Sequence, residues 1–276
     1  MNLLEKFISF THAETSQPSI FGWAHLFWIG LSVLGVIIIC FTCKKLSDKK
    51  WRTILFVFGI VLIVLEVLKQ LNFAYNSETN TWDYAWKQFP FQFCSVPMYV
   101  MILVACLKEC KFRDFLSSFL ATYGLFAGLV VLIYPSTLLS EMIFRFSQSM
   151  LHHAVIFVVG VFMFVSGKVK LKHKTILKAL PVFVTCVVIA FVMNIIYKQI
   201  GNADSFNMFY IGPYQTCDIP VLNIIGNFLD IANQNLHFGN FVFIAIYIAG
   251  FSIAAYIILL FAMLISKLNS KIHNKQ

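Results

Sequence analysis

Long, unbroken apolar runs constrain this chain more than any other feature. They occupy residues 19–43, 51–75, 91–107, 113–134, 143–167, 175–199 and 239–267. A hydrocarbon core of about 30 Å takes roughly 20 helical residues. A transmembrane barrel would instead show ten-residue segments alternating apolar and polar positions. Charged residues make up only 12% and hydrophobic residues 59%, against roughly 25% and 45–50% in soluble domains. The expected fold is therefore all-α, a polytopic membrane helical bundle of about seven transmembrane helices, with residues 1–276 as a single integral membrane domain. The third run is the shortest, is preceded by Pro90 and has Pro97 inside it.

The excess of positive charge, formally +9, would suggest nucleic acid in a soluble chain. Here the position of the basic residues carries the information. They cluster after the first run (Lys44 to Arg52), after the third (Lys108, Lys111, Arg113), after the fifth (Lys168 to Lys178) and in the C-terminal tail. The positive-inside rule then puts the N-terminus outside and the C-terminus inside. The expected partners are membrane lipids and not nucleic acid. The N-terminus carries Glu5, Lys6, His12 and Glu14 ahead of a long first run, so no cleavable leader is expected. Seven cysteines without paired CxxC or His spacing give no metal site, and no cofactor is expected. In the loop 200–238, residues 220–230 show helical apolar spacing, which predicts a short helix on the outer face.

A polar group inside a span costs a few kcal/mol on insertion scales, so each needs a reason. Such groups recur here at one depth, in the outer half: His25, Glu66, Lys69, Gln92, Cys94, His152, His153 and Asn194, with His237 near the outer end of the last run. The inner halves are almost wholly apolar or hydroxylic. The outer groups either meet in one outward-facing cavity or serve as separate interhelical hydrogen bonds. Glu66 and Lys69, spaced i, i+3, form an ion pair or a substrate site. Cys94 is either packing or a nucleophile beside backbone groups freed by Pro90 and Pro97. Adjacent histidines point about 100° apart, which suits one general base and one structural group better than a metal pair. Gly124 and Gly128 make a small-xxx-small face for close packing.

The order of His25, Glu66, Pro90-Phe-Gln92-Phe-Cys94-Ser, Gly124/Gly128 with Pro135, His152-His153-Ala154 and Asn207-Met208-Phe209 resembles the YwaF-like family of bacterial integral membrane proteins, over roughly residues 18–265. That family looks related to a eukaryotic transmembrane acyltransferase acting on lysophospholipids. The resemblance implies a multi-pass protein of the bacterial plasma membrane, with Cys94 as nucleophile and a histidine as proton carrier. His153 is the better match because Ala154 follows it; His152 is the alternative. Asn207 would be an outer-loop position. The aromatic stretch Phe89–Phe93 departs from a more aliphatic family pattern. The leading reading is a Cys/His-dependent acyltransferase or esterase acting on lipid from the outer leaflet. In it, Glu66 or His25 orients the histidine and Gln92 helps hold an oxyanion. Two other readings stay open: a transporter or substrate-binding component, and a non-catalytic assembly protein whose polar groups only hold helices together.

Overall fold

Backbone N–H and C=O groups in a hydrocarbon layer must be satisfied within the protein, which makes helices the default for apolar runs of this length. The computed structural model describes residues 2–44, 46–136, 138–200, 206–233 and 235–273. Nine helices account for nearly all regular structure among them: α1 Leu3–Phe10, α2 Trp23–Thr42, α3 Asp48–Ala74, α4 Val96–Cys106, α5 Lys111–Ile133, α6 Ile143–Val165, α7 Lys174–Ile200, α8 Leu222–Phe228 and α9 Phe238–His273. A two-residue hairpin, Tyr75–Asn76 with Thr81–Trp82, is the one small sheet described.

Six of these helices, α2, α3, α5, α6, α7 and α9, are long and apolar enough to cross a membrane. The third run is a correction to the expected seven. Its helix has only 11 residues, about 16 Å at 1.5 Å per residue. Its proline also sits elsewhere than expected: Pro97 lies in the first turn of α4, where a missing N–H costs nothing.

The chain nevertheless traverses the bundle there. Gln70 of α3 donates to the carbonyl of Gln88 at 2.6 Å, and Arg52, at the other end of α3, donates to the carbonyls of Ala105 and Cys106. Residues 88–106 thus run antiparallel to α3 over 18 of its residues, about 27 Å. Half of that path is helix and half is irregular backbone packed against protein.

Arg52, Arg113 and Lys168 gather at one end of the bundle. Arg113, buried, makes a two-pronged contact with Asp48 at 3.1 Å and lies over the Trp51 ring, as does Lys168. At the opposite end, called here the loop end, fully buried Asn72 ties three elements together. It donates to Thr11 Oγ1, accepts from Arg145 on α6 and offers its carbonyl to His12. The expected short helix is α8, with Ile224 and Phe228 exposed beside Val221.

α5 and α6 are the most enclosed long helices; α2 and α9 face largely outward. α6 touches α2, α3 and α5, and α5 also touches α4, α7 and α9. The α5–α6 approach depends on glycine. A Cβ at Gly128 would come within 2.5 Å of Phe157 N and 2.8 Å of His153 O, and one at Gly160 within 2.6 Å of Leu125 Cβ. Gly124 makes only ordinary contacts at 3.7 Å or more. It sits in a π-helical turn, Leu120–Gly124, and not on the close-packed face.

Candidate functional site: a cysteine and a histidine at a broken helix

The site grows from the proline at the start of α4. Cys94 precedes Ser95, the N-cap of α4, so its carbonyl lies outside the hydrogen-bond ladder of that helix. Pro97 has no N–H, and the Met98 N–H turns to Ser95 O at 3.3 Å. The Cys94 carbonyl therefore lacks a helix partner, and His152 Nε2–H of α6 donates to it at 3.1 Å. That bond fixes the proton on Nε2 and leaves Nδ1 with a free lone pair. Nδ1 is buried and has no hydrogen-bond partner among the described residues.

His153, its ring centre 5.7 Å from that of His152, donates from Nδ1 to Ser149 O of its own helix at 2.7 Å. The two imidazoles thus differ in role: one is clipped to the Cys94 backbone, the other to its own previous turn. Cys94 is a free thiol, half-buried. Glu66 and Lys69 form their ion pair at 2.8 Å, and Gln70 Nε2 also donates to Glu66, at 2.7 Å. Lys69 lies within electrostatic range of Cys94, His152 and His153, and Glu66 within range of Cys94. These five residues form one group, supplied by α3, α6 and the break before α4.

The remaining expected site residues have other work. His25 uses both ring nitrogens: Nε2–H donates to Leu132 O at 2.7 Å, and Nδ1 accepts from Phe21 N–H at 2.9 Å. It clips α2 to the end of α5 and hydrogen-bonds to neither histidine. Gln92 is equally committed, donating to Asn207 O and accepting from Phe209 N–H, both at 2.9 Å. Its amide keeps one further N–H beyond these two bonds. Asn194 pairs with the Met208 backbone through two bonds of 3.0 and 2.8 Å, and Asn207 spans Thr216 O and Gly212 N–H. His237 bonds to Asn240 and Leu229 O.

Gln92, Asn194 and Asn207 thus act as a clamp on the loop between α7 and α8. The clamp holds Phe209 and Tyr210 at positive φ, 59° and 57°, a conformation that costs non-glycine residues about 1–2 kcal/mol each.

A cleft of about 360 Å³ opens at the loop end, lined by Lys87, Gln88, Gln92, Asn207, Tyr210 and Asp218 among others and by none of the five residues of the group. Burial pushes the Tyr210 hydroxyl up to about 12, so it stays a neutral donor at any physiological pH. Tyr210 lies within electrostatic range of Cys94. Next to Cys94 in sequence, Phe93 packs on Phe183 and Phe251, which stack with Tyr123 and Tyr247 to fill the middle of the bundle.

Sequence reasoning missed Gln70, Tyr210 and Gln148. Gln148 is buried one turn from His152, and that i, i+4 spacing from a candidate histidine was the signal available. Among the described residues no group of three or more His, Cys, Asp or Glu side chains is placed to hold a metal.

Six helices long and apolar enough to cross a membrane, with many large apolar side chains exposed on their outer faces, define a multi-pass helical membrane protein. The sequence profile of the TMEM164 family, a transmembrane protein family, matches residues 20–266, and the chain belongs to that family. No curated protein and no solved structure matches it.

Proposed function

We propose that this protein transfers or hydrolyses acyl groups of membrane lipids, with Cys94 as nucleophile and His152 as proton carrier. The observation that carries the reading is the hydrogen bond from His152 to the Cys94 backbone at a helix break. The resemblance to YwaF-like proteins, and through them to a lysophospholipid acyltransferase, supports it.

In the first step Cys94 Sγ attacks the ester carbonyl of a phospholipid and its proton passes to His152 Nδ1. A C–S bond forms, the ester C–O bond breaks, and the proton goes to the departing alkoxide. In the second step a hydroxyl, from a lysolipid or from water, attacks the thioester. Its proton passes to the same nitrogen, the C–O bond forms, the C–S bond breaks, and the thiolate takes the proton back. The Lys69 ammonium stabilises negative charge developing nearby, and Glu66 with Gln70 holds Lys69 in place. The lipid approaches from the loop end; the distribution of basic residues supports an outer-leaflet position for that end.

The resemblance favours His153 as proton carrier; contact with Cys94 favours His152. A long-chain acyl-thioester probe bearing an alkyne tests both on the full-length protein in vesicles. Wild type is expected to become labelled, Cys94→Ala to lose the label, and His152→Ala to slow labelling by at least about a hundredfold. Labelling unchanged in Cys94→Ala overturns the reading. A large loss in His153→Ala with none in His152→Ala moves the proton carrier one residue along.

A further inference from the structure

We infer that Phe209 and Tyr210 form a gate between the loop-end cleft and the Cys94 thiol, held shut by the side chains of Gln92 and Asn194. The gate adds an access step to the functional reading above and rests on that reading only for the use made of the thiol. The gate itself stands on backbone geometry and hydrogen bonds.

Cys94 is half-buried, yet it lines no part of the cleft. Tyr210 lines the cleft and lies within electrostatic range of Cys94. Its neighbour Phe209 is fully buried and faces Phe91 and Phe93, with ring centres 5.9 Å from each. Phe93 directly precedes Cys94. The pair therefore stands between the polar cleft and the aromatic packing beside the thiol.

Both gate residues have positive φ, 59° and 57°. The left-handed region crowds a Cβ against the backbone, so two successive aromatic residues hold it only where their surroundings impose it. Two separate elements do so here. Gln92, two residues before Cys94, accepts from Phe209 N–H and donates to Asn207 O, both at 2.9 Å. Asn194 of α7 accepts from Met208 N–H at 2.8 Å and donates to Met208 O at 3.0 Å. On the far side, Gly212 N–H donates to Asn207 Oδ1 at 2.8 Å and closes the turn. The shut state is thus a strained backbone under a hydrogen-bonded clamp. When the clamp lets go, the strain drives φ back to negative values. Reversing φ at two successive residues moves the Tyr210 ring and the Phe209 backbone out of their places and opens a route from the cleft to the thiol. Shut, the same segment keeps water in the cleft away from Cys94.

Thiol modification of the full-length protein in nanodiscs tests the gate without any acyl chemistry. The probe is a negatively charged methanethiosulfonate, which arrives through water, and mass spectrometry reads each cysteine separately. Exposed Cys110 and buried Cys186 are the internal standards. In wild type, Cys94 is expected to react more slowly than Cys110 and faster than Cys186. Gln92→Leu and Asn194→Leu each remove two bonds of the shut state and strand the backbone groups they held. Each is expected to speed modification of Cys94 by about tenfold or more, with Cys186 unchanged. Wild-type Cys94 reacting as fast as Cys110 overturns the inference, because nothing then shields it. Reacting as slowly as Cys186 overturns it too, because the segment then does not open on its own. That comparison needs no variant to fold. Acceleration in neither variant, or in only one of the two, overturns it as well. So does Cys186 speeding up in step with Cys94, the sign of general loosening. Modification that follows the clamp in a protein that never acylates Cys94 keeps the gate and removes the transfer reaction. Acylation of Cys94 whose thiol ignores the clamp does the reverse.

Discussion

One unpaired carbonyl organises the candidate site. Because Cys94 stands just before the N-cap of α4, its carbonyl is open to His152, and the imidazole is held with its other nitrogen facing inward. His25 shows the opposite case, a buried histidine with both nitrogens spent on backbone groups. The two histidines have similar burial, so the sequence could not tell them apart; only their partners do. His25→Ala leaves Leu132 O and Phe21 N–H without partners. It is expected to destabilise the protein by about 2 kcal/mol, read as a lower thermal unfolding midpoint in detergent. Acyl-probe labelling of Cys94 in the folded fraction should stay within about twofold of wild type. A large loss of labelling at unchanged stability would give His25 a direct part in the chemistry.

At the scale of elements, the site depends on how closely α5 and α6 approach. Without a side chain at Gly128, the backbone around His153 and Phe157 can pack directly on α5. The sequence showed this as a small-xxx-small pattern, but only one of its two glycines is at the contact; Gly160 on the partner helix is the other close point. Gly128→Ala places a Cβ against immovable backbone and is expected to cost at least about 1–3 kcal/mol while displacing the histidine pair, so labelling at Cys94 falls as well. Gly250→Ala, with nothing within 4 Å of the added carbon, should be neutral or stabilising by up to about 1 kcal/mol. Thermal unfolding of the two variants side by side checks the contrast. If Gly128→Ala unfolds like wild type, α5 and α6 are not locked at that point.

For the whole molecule, α1 is tied to the loop end through Asn72, while α9 begins at the loop end and passes His173 near the basic end through Tyr256. The two termini therefore leave from opposite ends, as an odd number of traversals requires. The positive-inside rule predicts Asp83 outside and Cys110 inside. In intact cells an impermeant maleimide should label an introduced Asp83→Cys and spare Cys110, which is exposed at the basic end, until the membrane is permeabilised. The reverse pattern would invert the protein and turn the loop end toward the cytoplasm.

The sequence by itself determined the class of fold, the approximate limits of the long helices and which spans carry polar residues. These follow from local quantities: run length against bilayer thickness, and the cost of each polar group in hydrocarbon. It also showed that Cys94 stands beside prolines. It could not show that α4 is only 11 residues long, because an apolar run has the same composition whether it is helical throughout or half irregular against neighbouring protein. Nor could it separate Glu66, Lys69, Cys94 and the histidine pair, which come together, from Gln92, Asn194 and Asn207, which clamp a loop. Which polar side chains face one another depends on the rotation and crossing of helices far apart in sequence. That is fixed by packing such as the Gly128 contact, and so belongs to the tertiary structure alone.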